Sequence, residues 1–143
     1  MTALVVAGAA VFLILGVAHA ALTLRSSPSR GPLTPTNPDV RTAMTATTGL
    51  GLAPELSTSL WRTWVGFNLS HALGIITIAG TIMFHAIDDL EAVADQAWFV
   101  VLTCGLPSVY LTLSIRYWFA RPTRGIIVGG LLLAIGTLGT AFG

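Results

Sequence analysis

Few side chains in this sequence could do chemistry: His19, His71 and His85, one cysteine, Cys104, and an amide, Asn68, three residues before His71. Imidazole is the one side chain that titrates near neutrality without help, so a histidine in an apolar setting is a candidate acid or base. Trp61, Trp64, Asn68 and His71 are spaced three, four and three apart, which on a helix confines them to an arc of roughly 80°. That arc carries aromatic and polar groups on one face, with His71 as the expected acid or base and Asn68 holding either the imidazole or the substrate. His19 belongs to the same end of the molecule, and Arg62, Arg116 and Tyr117 provide cationic and phenolic groups at its rim. No Ser–His–acid or Cys–His set can be assembled, so covalent catalysis is not expected.

These groups are set in an unusually oily chain. Of 143 residues, 54% are hydrophobic and 9% charged, and the mean hydropathy of +0.81 excludes a water-soluble globule. Seven arginines against six acids give a formal net charge of +1, too little basic charge for nucleic-acid binding. A lone cysteine leaves no internal disulfide and no multi-cysteine metal site. Crossing a bilayer core of roughly 30 Å takes about 20 apolar residues, and four stretches qualify: Ala3 to Leu24, Trp64 to Ile87, Ala97 to Ile115, and Gly125 to Phe142. The first ends in Ala18-His19-Ala20, a small-x-small pattern, but Met1 to Val6 carry no basic residue and the stretch exceeds a signal peptide's apolar region, so a retained helix is expected. The whole chain reads as one all-α domain, residues 1–143, a four-helix bundle integral to the membrane.

Arginine placement sets the expected orientation. Arg25, Arg30 and Arg41 fall in the first loop and Arg116, Arg121 and Arg124 in the third, whereas the second holds Asp88, Asp89, Glu91 and Asp95 with no base. Positive charge stays on the cytoplasmic side, so loops one and three are expected inside the cell membrane and both termini outside. The first loop, about 36 residues from Arg25 to Leu60, is long for a connection and invites a functional reading. Pro28, Pro32, Pro35 and Pro38 imply an extended start. Asn37-Pro38-Asp39 predicts an N-cap and a short helix to Thr48, ended by Gly49 and Gly51, able to lie on the membrane surface or act as a lid.

Inside lipid, helices associate through small residues. Gly66, Ser70 and Gly74, with Thr63, Thr77 and Thr81, form one such seam on the second span; Gly125, Gly129, Gly136 and Thr140 form another on the fourth, and Gly16 and Ala20 a third on the first. Pro107 should distort the third span and free a carbonyl for Ser108 or a neighbouring helix.

Trp61 and the run Trp64-Val65-Gly66-Phe67-Asn68-Leu69-Ser70-His71, together with Arg116-Tyr117-Trp118-Phe119 and a first-span histidine, resemble an uncharacterised family of small bacterial four-span membrane proteins. The resemblance implies a shared fold and a shared polar site at Asn68, His71 and Arg116, and no activity. Two function classes follow from the residues. In the first, an intramembrane pocket open to the cytoplasm binds a lipophilic small molecule and isomerises, cyclises or hydrolyses it, with Asn68 and His71 in the chemistry and His19, Trp61, Arg62, Trp64, Arg116 and Tyr117 in binding. In the second, the chain is a non-enzymatic accessory or assembly subunit, a homo-oligomer or the partner of another membrane protein. Each residue also has a structural use: Asn68 and His71 as interhelical hydrogen-bond glue, tryptophans as belt anchors, arginines as topology determinants. No metal site is expected, since no span holds a carboxylate. Haem held between His19 and His71 meets the ligand type alone. All six acids lie in loops, so proton-coupled export fits poorly.

Overall fold

The computed structural model describes residues 1–49 and 58–143. Among them every regular element is helical, and four helices are long and apolar enough to cross a membrane: α1 (Thr2–Leu24), α3 (Leu60–Val93), α4 (Ala97–Tyr117) and α5 (Ala120–Ala141). A short α2 (Pro38–Ala46) sits in the first connection. The described chain separates into two compact units, one of residues Met1–Gly16 and Gly74–Gly143, the other Val17–Leu73.

In the first unit the core gathers Val5 and Ala9 of α1, Ile82, Ala86 and Leu90 of α3, Phe99 of α4 and Leu133 of α5, with Ala94 beside them. The α1–α5 contact is close because glycine makes it so. A Cβ on Gly8 would stand 2.8 Å from the Gly129 carbonyl oxygen and 2.9 Å from the Leu133 nitrogen, distances that only a bare Cα permits between backbones. Gly136 lies against Val5, Gly129 against Phe12 and Gly125 against Leu15, so the two helices run antiparallel along a glycine seam. The seam expected on α3 is different. A Cβ added at Gly66, Gly74 or Gly80 would meet nothing within 4 Å among the described residues, and Ser70 and Thr77 are exposed. The spacing identified a small-residue face; it did not say whether the chain itself would cover it.

Three local departures have physical causes. The third span contains a π turn, Val101–Gly105, in which the Leu106 N–H reaches back five residues to the Val101 carbonyl. It precedes Pro107, which has no N–H to give, and the Ser108 hydroxyl donates to the Cys104 carbonyl at 2.7 Å, one residue beyond the carbonyl that the proline leaves in α register. Near its end α3 breaks at Asp89 (φ −158°, ψ 91°), whose carboxylate accepts from the Ala92 N–H and caps the final turn.

In the second unit the prolines of the first connection do not produce an extended strand. Ser26 and Ser27 fold it: the Leu33 N–H donates to Ser26 Oγ, the Arg30 N–H to Ser27 Oγ, and Thr34 Oγ1 to the Ser27 carbonyl. Gly31 supplies the turn's φ of +138°, where a side chain would strike Ser26. Arg41 of α2 donates to the carbonyls of Pro35 and Thr36. α2 starts as its sequence predicts, with Asn37 Oδ1 accepting from the Asp39 N–H, but it ends at Ala46, before Gly49, with Thr47 extended as its C-cap. The Thr47 carbonyl then accepts from the Leu60 N–H at the start of α3. Gly51 lies outside the described residues.

The glycine contrast is measurable. Gly8→Ala should cost about 1–3 kcal/mol, because two of the three nearest atoms it meets are backbone and cannot turn aside, whereas Gly66→Ala should stay within about 0.5 kcal/mol in the isolated chain. Unfolding of both variants in micelles tests this; equal losses would contradict the seam.

Candidate functional site

Within the second unit, the C-terminal part of α1 and the N-terminal part of α3 bring His19, Asn68 and His71 together. His19 Nε2 lies 3.0 Å from Asn68 Oδ1. The His19 and His71 rings meet edge to face, 5.5 Å between centroids and 81° between planes. Asn68 Nδ2 donates to the Trp64 carbonyl one turn back, at 2.8 Å. All three side chains are half-buried. At ~1.5 Å per residue, Asn68 lies about 12 Å along α3 from Leu60, well inside a membrane-spanning segment. An amide and two imidazoles there need partners within the protein; Asn68 finds them in His19 and the Trp64 carbonyl, and His19 in Asn68.

The aromatic part of the stripe is continuous with these groups. Trp61 and Trp64 stack at 5.2 Å with 31° between planes. Trp61 is only 6% exposed. Thr23, one turn after His19, escaped attention in the sequence although its i+4 spacing was visible: it is fully buried and its hydroxyl donates to the His19 carbonyl at 2.8 Å.

Arg62 is exposed. Arg116 and Tyr117 belong to the first unit, at the exposed end of α4, where the guanidinium sits 5.7 Å from the Tyr117 ring centroid. Arg116 also complements the negative end of that helix. His85 contacts Phe84 and Trp98 through ring edges at 5.3 and 5.1 Å, and Cys104 is partly buried with Sγ 3.8 Å from Thr103 Oγ1.

Two clefts are well enough formed to describe. One, ≈ 290 Å³ including its open mouth, is apolar and lies in the first unit between Phe12, Ile78, Leu102, Pro107 and Tyr110 among others. The second, ≈ 470 Å³ and shallow, lies against Pro28, Pro38 and Arg41. Neither is lined by His19, Asn68 or His71. No group of three or more His, Cys, Asp or Glu side chains suited to a metal ion occurs among the described residues. Holding a haem between His19 and His71 would require their touching rings to separate and His19 Nε2 to leave Asn68.

Compared with protein-family models, with curated proteins and with solved structures, the chain matches none.

A double-mutant cycle checks the central bond. With Asn68→Leu, His19→Leu and the double variant, the coupling between the two sites should be about 1 kcal/mol. Additive losses would mean the imidazole and amide do not interact.

Proposed function

We propose that the chain is a multi-pass protein of the cell membrane whose four spans pack as a bundle, with both termini outside and the arginine-bearing first and third loops in the cytoplasm. Its polar site, at His19, Asn68 and His71 with Trp61 and Trp64 beside them, binds the head of a lipophilic small molecule drawn from the inner leaflet. The observation that supports this reading is the meeting of two imidazoles and an amide from two spans, at a depth where polar groups are costly. Interhelical glue requires one such pair, and a second imidazole adds a further hydrogen-bonding group beyond it. Isomerisation, cyclisation and hydrolysis all lie within reach of such a set. Arg62 lies six residues before Asn68, toward the cytoplasmic end of α3, and α2 covers that side of the membrane. Arg116 and Tyr117 serve the bilayer surface.

The test is native mass spectrometry of the protein extracted with its lipids. Wild type should retain a small molecule that His71→Ala loses; equal occupancy in both would remove His71 from the site.

A second reading is favoured by a separate observation. The α3 face of Gly66, Ser70 and Gly74 is uncovered among the described residues, and small residues on a span are what a neighbouring helix needs for close approach. On this reading the protein is an assembly subunit or a homo-oligomer. Ser70→Cys in a Cys104→Ala background should form a disulfide-linked dimer in membranes if two copies meet there. Absence of that crosslink, with Ser108→Cys as the off-face control, would assign the face to lipid or to another protein.

A further inference from the structure

The direction of every hydrogen bond in the polar cluster follows from what each atom can do. A backbone carbonyl only accepts, so the Asn68 atom 2.8 Å from the Trp64 carbonyl is the donating Nδ2. The other end of the amide is therefore Oδ1, which only accepts, and the His19 Nε2 lying 3.0 Å from it must carry a hydrogen. In a neutral imidazole, a hydrogen on one nitrogen leaves the lone pair on the other. His19 is thus the Nε2–H tautomer, and Nδ1 is its basic nitrogen. The Thr23 hydroxyl is already committed to the His19 backbone carbonyl at 2.8 Å, and the His71 ring packs against the His19 ring at 81°, so the imidazole is bounded by a fixed amide and a second ring.

We infer that Asn68 is a positioning residue that holds His19 as the Nε2–H tautomer, making His19 Nδ1 the hydrogen-bond acceptor of the site, and that the head group it takes is a hydroxyl on a lipophilic tail, an alcohol or a phenol. The spacing points to His71 as a base; the bond network gives His19 a basic nitrogen as well. A lone pair selects a donor. Ketone, ether and ester heads offer only acceptors and cannot bond to Nδ1. An anionic head would bring negative charge to that lone pair, and the cationic side chains nearest in sequence to His19 and Asn68, Arg25 and Arg62, are both exposed. The ligand half of this inference rests on the binding role proposed above; the tautomer half does not.

The experiment uses the full-length protein, isotope-labelled at its histidine nitrogens, in micelles at about pH 8, where an ordinary imidazole is neutral. Long-range proton–nitrogen correlation spectra distinguish the tautomers, and His71→Gln and His85→Gln assign the His19 signals. Wild type should show His19 wholly as Nε2–H. Asn68→Leu should lose that preference, and Asn68→Asp, which keeps an acceptor, should restore it. An Nδ1–H pattern in wild type, or an unchanged tautomer in Asn68→Leu, would overturn the positioning role. Added para-dodecylphenol should then shift the His19 Nδ1 resonance while its methyl ether leaves it in place. Equal responses to both, or none to either, would overturn recognition of a hydroxyl. Because the tautomer is read without ligand, a protein that retains no lipophile would fail the binding proposal and leave the tautomer assignment standing.

Discussion

A polar group placed in hydrocarbon has no water to turn to, so whatever it needs must come from the chain itself. That constraint accounts for most of the hydrogen bonding along the spans. Thr23, Thr81, Thr103, Thr112 and Thr140 each donate to the carbonyl four residues back, and Ser70 and Ser114 to the one three back. These hydroxyls spend their one donor within their own helices. Among the described residues the buried exceptions are Thr58 and Thr137, whose hydroxyls lack a partner. His19 and Asn68 differ from all of these because neither side chain is satisfied by its own backbone alone, and the bond between them joins two spans.

Packing obeys a second economy. Where lipid is as apolar as leucine, helices gain little from burying more apolar surface and much from close contact. α1 and α5 realise this through Gly8, Gly129 and Gly136, each set against backbone or a neighbouring side chain. The same residue types on α3, at Gly66 and Gly74, border open space among the described residues. Identical composition thus supports an internal joint in one place and an unoccupied surface in another, and the difference lies in the partner helix.

How much of this could be read beforehand depends on range. The four apolar stretches and the Asn37 cap were legible because length and local hydrogen bonding decide them. Span ends were less so: α3 begins at Leu60, ahead of the apolar stretch that marked it, and its range to Val93 includes a last turn beyond the break at Asp89. The proline-rich connection misled because its prolines speak for an extended chain, while Ser26 and Ser27, at longer range, bend it back. In the polar cluster, the spacing of Asn68 and His71 on one face was visible, but their meeting with His19 joins residues 49 apart in sequence. Gly8 went unnoticed for a similar reason: only the proximity of Gly129 reveals its use.

The π turn at Val101–Gly105 has a consequence for the whole of α4. It accommodates one residue more than an α turn would over the same rise, so everything beyond it is phased about 100° away from where an uninterrupted helix would put it. Phe99 before the turn, Thr103 within it, and Pro107 and Ser114 after it are all buried. Converting the turn to α register with every residue retained would swing Pro107 and Ser114 by that angle and leave Phe99 in place, whereas deleting one residue of the turn would straighten the helix and keep their facing. The third span therefore works as two short helices whose relative facing is set by a wide loop of backbone between them.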